Sequence, residues 1–431
     1  MISYSSHKLR RQTKHIADAC IRPKCCGNAA VCLIYSTPTS IYIPAMASTS
    51  SPTRVAIIGG GIGGLTLARI LQLRQVPSLV FTLYEADANA SLRGSFGGSL
   101  DLKRDSGQRA MREAGLHAEF LKLSRPVGGA LRLLDDSGKI LIETPGNPDD
   151  MYNPEIDRGH LRSLFLDSLE SNTIQWGCKA TSVEQDTTTG KYSIQFSSGK
   201  REGNFDIVVG ADGAWSCVRS LAWPGVSPSY SGVTFLETKV NMKTYAELTS
   251  FVGENLMIAM NGGKGIIAQM SSNDMLTVYI AVRVSEDWSR TSPVALAGTP
   301  EEKIRLMLEH FEGWDESLRQ LIRVGENPIV RPIYALPHDS QPRTKTDNVV
   351  LLGDAAHVMS PFAGAGVNMA MVDAADLADA LTSGKSLETY EAVMRARANE
   401  AGKETAENLE LFFSEDAAKK LTALFQGLLG L

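Results

Sequence analysis

Four short stretches of the chain are almost continuously apolar, and three of them run directly into a glycine. The four are 54–58 (RVAII), 79–84 (LVFTLY), 207–209 (IVV) and 349–352 (VVLL). Unbroken runs of β-branched residues and leucine are typical of strands buried on both faces of a parallel sheet. Apolar residues at helical spacing follow the first run, and an alanine- and methionine-rich helix to about Leu381 follows the last. The pattern predicts an α/β fold with a parallel sheet.

The pattern changes between residues 229 and 328. Segments 233–240, 255–260, 265–269 and 276–282 each have the composition of a strand, and they follow one another without long helical stretches. We expect them to form an antiparallel sheet. From Ser386 onwards the apolar residues return to helical spacing, which predicts a long amphipathic C-terminal helix.

Composition narrows the class of protein. The chain has 431 residues, of which 43% are hydrophobic and 21% charged, an ordinary globular composition of two or three domains. The formal net charge is −5, and residues 1–52 carry six basic side chains against one acid, so the remainder sums to −10. An acidic main body argues against nucleic acid as a partner. No apolar stretch is long enough to span a bilayer, and the cysteine spacing predicts neither a disulfide framework nor a zinc site.

The first 52 residues form an N-terminal extension with a different composition. They are basic, rich in serine and threonine, and contain four of the six cysteines. A start of translation at Met46, a mitochondrial transit peptide in residues 1–45 and a disordered segment all fit this composition. The expected location of the protein is therefore cytoplasmic, with the mitochondrion as the alternative.

A dinucleotide fingerprint follows the first predicted strand. Gly59, Gly61 and Gly64 satisfy G-x-G-x-x-G between a strand and a helix, and Glu85 ends the second strand, 21 residues past Gly64. The first glycine allows a tight turn, the second lets the backbone approach a pyrophosphate, and the third lets helix and strand pack closely. Glu85 is placed to accept hydrogen bonds from a ribose. A glycine turn without a ligand is the alternative, and the fingerprint alone does not separate NAD from FAD.

Two more strands end in Asp-Gly or Gly-Asp pairs. Asp212-Gly213 follows the run at 207–209, and Gly353-Asp354 follows the run at 349–352. In open α/β sheets ligands bind beyond the carboxyl ends of the strands, so both aspartates are candidate cofactor contacts. The turn 361–368 (PFAGAGVN) then presents another helix N-terminus. A turn aspartate at 212, a helix N-cap at 354 and simple helix packing for the glycine turn stay open as alternatives.

In this order, these three motifs resemble the class A FAD-dependent aromatic hydroxylases of the para-hydroxybenzoate hydroxylase fold. Within that class the sequence is similar to the flavin-dependent tetracycline-inactivating monooxygenases, at 97–102 (GGSLDL), 106–108 (SGQ), 153–158 (NPEIDR) and 425–429 (FQGLL). The resemblance implies a Rossmann-like FAD-binding domain, discontinuous over 53–125, 151–228 and 329–384. It also implies an inserted antiparallel substrate domain at 126–150 and 229–328, and a C-terminal helix at 385–431.

The resemblance also implies roles for individual residues. Arg158 would contact FAD, Asp101 would lie near the flavin and Asp354 would bind the ribityl chain. Arg93 would contact the flavin edge, with a solvated loop residue as the alternative. The full set of expected FAD-binding residues is Gly59, Gly61, Gly64, Glu85, Arg93, Asp101, Arg158, Asp212, Gly213, Gly353, Asp354, Gly364, Gly366, Val367 and Asn368.

The reaction that the resemblance implies is hydroxylation of an aromatic, phenolic or enolic small molecule. NAD(P)H would bind transiently and reduce the tightly bound FAD, and O2 would then form a C4a-hydroperoxide. Pro361, Gly364 and Gly366 would wall the reacting carbon and are the expected catalytic residues. The expected substrate contacts are Met257, Tyr279 and Phe362, with core packing as the alternative for Met257 and Tyr279. No metal site is expected.

At the positions where the tetracycline-inactivating enzymes hold the substrate headgroup, this sequence has Glu237, Asn255 and either Val278 or Tyr279. These residues depart from the tetracycline-binding pattern. The resemblance implies a polycyclic or aromatic polyketide-like phenol as the substrate class, and the expected protein is a monomer. The alternatives are a flavin-dependent reductase or halogenase of the same fold, and a flavin-binding sensor without turnover. The five tryptophans are too dispersed for the Trp-x-Trp-x-x-Pro element of such halogenases.

Overall fold

The computed structural model describes residues 51–93, 97–126, 129–147, 151–339 and 348–430. The predicted N-terminal extension lies outside the described residues except for its last two positions. Arg93 ends a short 3-10 turn, Ala90–Arg93, and its side chain is outside the description.

The strands, in chain order, are β1 (Thr53–Ile58), β2 (Leu79–Tyr84), β3 (Ser99–Asp101), β4 (Leu131–Leu134), β5 (Ile140–Thr144), β6 (Glu155–Asp157), β7 (Ile174–Gln175), β8 (Ala180–Gln185), β9 (Tyr192–Phe196), β10 (Arg201–Phe205), β11 (Ile207–Gly210), β12 (Ser229–Asn241), β13 (Leu256–Asn261), β14 (Lys264–Met270), β15 (Met275–Arg283), β16 (Glu326–Ala335) and β17 (Val349–Leu351).

The helices are α1 (Ile62–Arg74), α2 (Gly107–Glu113), α3 (His117–Leu123), α4 (Arg158–Ser168), α5 (Cys217–Ala222), α6 (Thr249–Val252), α7 (Trp288–Thr291), α8 (Pro293–Leu296), α9 (Pro300–His310), α10 (Glu316–Arg323), α11 (Asp354–His357), α12 (Gly366–Ser383), α13 (Leu387–Phe412) and α14 (Ala417–Leu429).

The four apolar runs and the short strand β7 form one parallel sheet. Its strand order is β17-β11-β1-β2-β7, and every neighbouring pair is parallel. Helices α1 and α12 pack against each other beside this sheet, and β1 is almost completely buried because both of its faces are covered. The arrangement confirms the predicted α/β fold. It also brings the carboxyl ends of β1, β11 and β17, and therefore all three predicted motifs, to one edge.

The second layer is a seven-stranded sheet of order β16-β12-β15-β14-β13-β4-β5. Its central strands are antiparallel, as predicted, but β4 pairs with β13 in parallel. Strand β16 continues this sheet to Ala335, beyond the boundary expected at residue 328, because it pairs along β12 as far as Ser229.

The two faces of the seven-stranded sheet differ, since successive side chains of a strand point to opposite faces. Leu276, Val278, Ile280 and Val282 of β15 pack into an apolar core with α9 and α10. The alternate residues, including Tyr279, face the other way.

Buried polar contacts join the two layers. Glu155 accepts a hydrogen bond from Nδ2 of Asn255 at 2.8 Å. Nη1 of Arg125 donates to Oγ of Ser272, between β14 and β15, at 2.9 Å, and Nζ of Lys239 donates to the carbonyl oxygen of Gly97 at 2.9 Å. Because each of these groups is wholly or largely shielded from water, the hydrogen bonds hold the layers in one register.

The C-terminal region folds as the predicted long helix, α13, and a second helix, α14, follows it. Helix α13 packs against α12 and β17, whereas α14 packs against β13, β4 and β5, so the tail spans both layers. Among the residues that the structure describes, we find no helix long and apolar enough to cross a membrane.

Candidate functional site

A cavity of about 600 Å³ lies where the three parallel strands end, and it extends to the seven-stranded sheet. This volume is within the range usual for ligand sites. The predicted residues that line it are Gly59, Gly61, Glu85, Asp101, Arg158, Asp212, Gly213, Tyr279, Gly353, Asp354, Pro361, Gly364, Gly366 and Val367.

The glycine turn after β1 has the close packing that the fingerprint predicts. Gly59 has φ +110°, and a Cβ on it would lie 2.2 Å from the carbonyl oxygen of Ala211. A Cβ on Gly64 would lie 2.0 Å from the carbonyl oxygen of Gly59. Gly61 is different, because a Cβ there would meet nothing within 4 Å and the residue faces the cavity. The first and third glycines are thus needed for packing, and the second leaves bare backbone for a ligand.

The helix that begins at this turn is suited to an anion. Gly61 is the N-cap of α1 and has no side chain that could cap the helix. The first amide groups of a helix lack intrahelical partners, and together with the helix dipole they favour a phosphate. This open backbone fits a dinucleotide pyrophosphate.

Glu85 lies at the other side of the same turn and is only 3% exposed. Its carboxylate accepts hydrogen bonds from the backbone amides of Gly60 at 2.5 Å and Asp87 at 2.8 Å. These bonds fix the carboxylate at the cavity wall, and its oxygens can accept further hydrogen bonds from ribose hydroxyls.

Asp212 has two roles in the structure. Its Oδ2 accepts from the amide of Cys217 at 2.8 Å, which supports the start of α5, so the alternative of a turn aspartate describes this oxygen correctly. Its Oδ1 is buried with no partner among the described residues. A buried acceptor without a donor is costly, and in a wall residue of the cavity it fits a ligand that donates a hydrogen bond.

Asp354 lies at the first position of α11, and the N-cap is Gly353 with φ +59°. The aspartate therefore does not cap the helix. It is exposed, lines the cavity and reaches it from the end of β17.

The N-terminus of α12 forms another wall. Ala365 is its N-cap and offers no capping side chain, and Gly366 and Val367 in the first turn line the cavity. Asn368 is 2% exposed and lies behind this wall, where its Oδ1 accepts from the backbone amide of Lys103 at 2.8 Å and its Nδ2 donates to the carbonyl oxygen of Asp101 at 2.8 Å. Its contacts position β3 rather than reach the cavity.

Asp101 and Arg158 come from the two-stranded pair β3 and β6 and the helix that follows it. Burial of Asp101 raises the pKa of its carboxyl to about 6. Arg158 is exposed to the cavity at the start of α4.

The sheet end of the cavity is formed by Tyr279 and Gln269. Burial raises the pKa of Tyr279, and the nearby Glu237 adds to this, so the phenol stays protonated. The side chain of Gln269 is oriented by a hydrogen bond, since its Nε2 donates to Glu155 at 3.4 Å.

Two predicted substrate residues have packing positions instead. Met257 is completely buried in the core between the seven-stranded sheet and its helices, on the face away from the cavity, which was the alternative reading. Phe362 is 2% exposed and packs against Phe235, Phe412 and Phe413. Both positions follow from tertiary packing that apolar spacing does not reveal.

Several lining residues have no signal in the sequence. They are brought in from loops and strands far apart along the chain and include Cys178, Lys179, Trp215, Gln269 and Met359. Trp215 adjoins the Asp212-Gly213 motif and is 66% exposed, an unusual exposure for an indole that only the structure reveals. No group of three or more metal-ligating side chains occurs within the described ranges.

The comparisons with known proteins agree with this geometry. The protein family described as FAD binding domain matches residues 52–405. Monooxygenase penA of Penicillium thymicola is 30% identical over 86% of this chain and 98% of its own length. Klebsiella pneumoniae HpxO, solved with FAD and uric acid, has a TM-score of 0.70 at 19% identity and covers 88% of this chain and 93% of its own. Tetracycline destructase Tet(51) has a TM-score of 0.64 at 20% identity over 88% and 96%. The two solved structures show likeness of fold alone.

Gly61→Ala and Gly64→Ala test whether Gly61 serves ligand binding and Gly64 serves packing. We expect Gly61→Ala to fold with parental stability but to retain at least about tenfold less FAD, because the methyl group occupies the path of the pyrophosphate. Gly64→Ala should lower the free energy of unfolding by about 1–3 kcal/mol, since its Cβ overlaps Gly59. Flavin absorbance after gel filtration and urea unfolding measure the two effects. Parental flavin content in Gly61→Ala would contradict the assignment.

Asp101→Asn tests the pH dependence of stability. The folded-state pKa of about 6 lies above the ordinary aspartate value, so protonated Asp101 contributes stability at low pH that is lost as the pH rises through 6. The flavin-free parent should therefore lose about 1–3 kcal/mol relative to Asp101→Asn between pH 4.5 and pH 7.5. Urea unfolding at both pH values measures the difference. Asp167→Asn, an exposed change on α4, is the control, and an equal response of both variants would refute the prediction.

Proposed function

The chain belongs to the FAD-binding domain family and is an FAD-dependent monooxygenase, and from this premise we propose that it hydroxylates a phenolic or enolic aromatic small molecule of polyketide-like type. The family membership rests on the match over residues 52–405. The relatives include several monooxygenases of aromatic compounds, among them salicylate hydroxylase of Pseudomonas putida at 27% identity. The expected cofactor, FAD, is thereby confirmed.

One observation carries the substrate proposal. The cavity runs without interruption from Glu85, through the three strand ends, to Gln269 and Tyr279 on the seven-stranded sheet. A cofactor that follows the strand ends would thus meet a separate, partly apolar wall at its reactive end. Such a wall is what a small aromatic substrate needs for burial.

Within this cavity the proposal assigns the cofactor contacts as follows. The bare backbone at Gly61 and the N-terminus of α1 hold the pyrophosphate, and Glu85 binds the adenosine ribose. Glu85 would repel a 2′-phosphate, so NADP is not the resident nucleotide. Asp354 holds the ribityl chain, with Asp212 supplying a further acceptor at the neighbouring strand end.

When bound, FAD supplies the redox chemistry, which is reduction by NAD(P)H and activation of O2. The chain contributes orientation, shielding and electrostatics. The first-turn amides of α12 would stabilise negative charge on a bound flavin. Pro361, Gly364 and Gly366 form the wall beside the reacting position, and their lack of polar side chains keeps water away from it.

Tyr279 and Gln269 are proposed to orient the substrate. The protonated Tyr279 donates a hydrogen bond to a substrate oxygen, and Oε1 of Gln269 accepts one from a substrate hydroxyl or N–H group. The ring of Phe235 lies 5.7 Å from that of Tyr279 and supports it from the side. This pairing selects a planar molecule that carries both a hydrogen-bond donor and an acceptor.

The proposal takes a single chain as the functional unit. It assigns FAD binding to segments 53–125, 151–228 and 329–384, apart from the end of β16 at 329–335, and substrate contacts to 126–150 and 229–328. We place the protein in the cytoplasm, where its free Cys178 and Cys217 stay reduced. Import into the mitochondrion is the alternative if residues 1–45 are a transit peptide.

The purified protein should be yellow, and a phenolic or enolic substrate should accelerate its oxidation of NAD(P)H with matching uptake of O2. The substrate should gain one hydroxyl group, measured as a mass increase by chromatography and mass spectrometry. A reductase would oxidise NAD(P)H without hydroxylated product, a halogenase would require halide, and a sensor would show no turnover. Each of these three results would replace the proposal.

Tyr279→Phe tests the substrate contact, because it removes one hydroxyl group and keeps the ring. We expect a rise of about fivefold or more in the KM for the substrate. A larger share of the NAD(P)H consumed should also be lost as hydrogen peroxide, while the FAD content stays parental.

Tyr230→Phe on β12 is the matched control, since its hydroxyl group contacts Thr234 at 2.8 Å away from the cavity lining. Equal KM values for the two variants would show that Tyr279 does not orient the substrate.

A further inference from the structure

Asp373 is the most completely buried carboxylate near the site, with no exposed surface. Its Oδ2 lies 2.5 Å from Nε2 of His357 and accepts from the backbone amide of Gly353 at 3.1 Å. Its Oδ1 accepts from Nη2 of Arg397 at 2.9 Å. The charge of a buried carboxylate is tolerable only with such partners.

These contacts join three elements that form the flavin end of the cavity. Gly353 is the N-cap of α11, the short helix that begins at Asp354, and His357 is its last residue. Asp373 itself lies on α12, seven residues after Gly366 at its N-terminal wall. Arg397 belongs to α13. Neither Asp373 nor His357 lines the cavity, so any effect on a ligand must act through the elements they connect.

We propose that Asp373 is a positioning residue for FAD, which locks the Gly353-Asp354 turn to α12 and α13 through its contacts with Gly353 and His357. Gly353 has φ +59°, a conformation that its neighbours must hold in place. The amide of Gly353 donates to Asp373, so the carboxylate fixes the residue directly before Asp354. The orientation of Asp354 towards the cavity depends on this bond.

The electrostatic pairing of His357 with Asp373 strengthens the contact between α11 and α12. Burial by itself lowers the pKa of this imidazole, but the Asp373 carboxylate more than compensates and raises the pKa above its ordinary value. The same pairing lowers the pKa of Asp373 against the effect of burial. Both directions favour the imidazolium and carboxylate forms of the pair, and a hydrogen bond between charged partners is stronger than a neutral one.

A second set of contacts indicates that α13 braces the same region. Tyr390 donates to the carbonyl oxygen of Leu351 in β17 at 2.8 Å, and Nδ2 of Asn408 donates to the carbonyl oxygen of Phe362 at 3.1 Å. The C-terminal helix thus fixes both the strand before the Gly353-Asp354 turn and the turn before α12. Arg397 connects this brace to Asp373.

The test compares Asp373→Asn with Asp379→Asn on the same helix. Asp379 pairs with Arg74 at 2.6 Å and is partly exposed, so its loss removes an ion pair without touching the turn. We expect Asp373→Asn to raise the Kd for FAD at least about tenfold, and Asp379→Asn to leave it within about twofold of the parent. Fluorescence titration of flavin-free protein with FAD measures Kd. Equal Kd values for the two variants would overturn the proposal.

Two substitutions at His357 keep the proposal testable if Asp373→Asn does not fold. His357→Gln retains an N–H donor close to the position of Nε2, whereas His357→Leu has none. The Gln variant should bind FAD within about threefold of the parent and the Leu variant at least about tenfold more weakly. Equal values for Gln and Leu would refute the role of the hydrogen bond.

The double variant Asp373→Asn, His357→Leu gives a readout that general destabilisation would not. Because both single changes break the same lock, we expect the double variant to bind FAD about as weakly as Asp373→Asn alone. Additive losses would mean that the two residues act independently, against the proposal. Binding of FAD by the parent and by Asp379→Asn separates a failure of this inference from a failure of the proposed function.

Discussion

A Cβ on Gly59 would stand 2.2 Å from the carbonyl oxygen of Ala211, and the rest of the site depends on this close approach of two strand ends. It brings the turns after β1 and β11 together so that backbone, rather than side chains, forms the floor of the cavity. Exposed backbone amides and helix N-termini can bind a pyrophosphate without a cluster of lysine and arginine side chains. The same edge receives the turn after β17, and the three turns can therefore grip one extended cofactor.

The second layer is placed by buried polar contacts rather than by apolar packing alone. Glu155 holds Asn255 and Gln269, and Lys239 reaches Gly97 on the flavin side. Hydrogen bonds are directional. They therefore fix the position of the seven-stranded sheet relative to the cofactor cavity more closely than apolar contacts alone would. A flavin oxygenation site requires such a fixed sheet position, because it must exclude water and hold the substrate at a constant distance from the flavin.

In the proposed function, cofactor binding and substrate choice are carried by different parts of the chain. The cofactor end uses the glycine and aspartate turns at the strand ends, and the family match over residues 52–405 covers them. The proposed substrate contacts, Tyr279 and Gln269, line the cavity because of the register of β14 and β15. Asp373 adds a third contribution, since it acts on the cofactor end from behind. Relatives can therefore share the cofactor site and differ in substrate.

The sequence by itself determined the parallel strands, the glycine turn with Glu85, the aspartate turns at 212 and 354 and the antiparallel strands, because each depends on neighbours a few residues away. Only the tertiary structure decided which side chains meet across long separations. Met257 and Tyr279 both lie in predicted strands, but the pleat turns Met257 into the core and Tyr279 towards the cavity. Phe362 adjoins a lining residue and still packs among other aromatic rings. Asp373 and His357 pair across a turn and part of a helix, a contact that no local pattern encodes, since it depends on how α11, α12 and α13 dock.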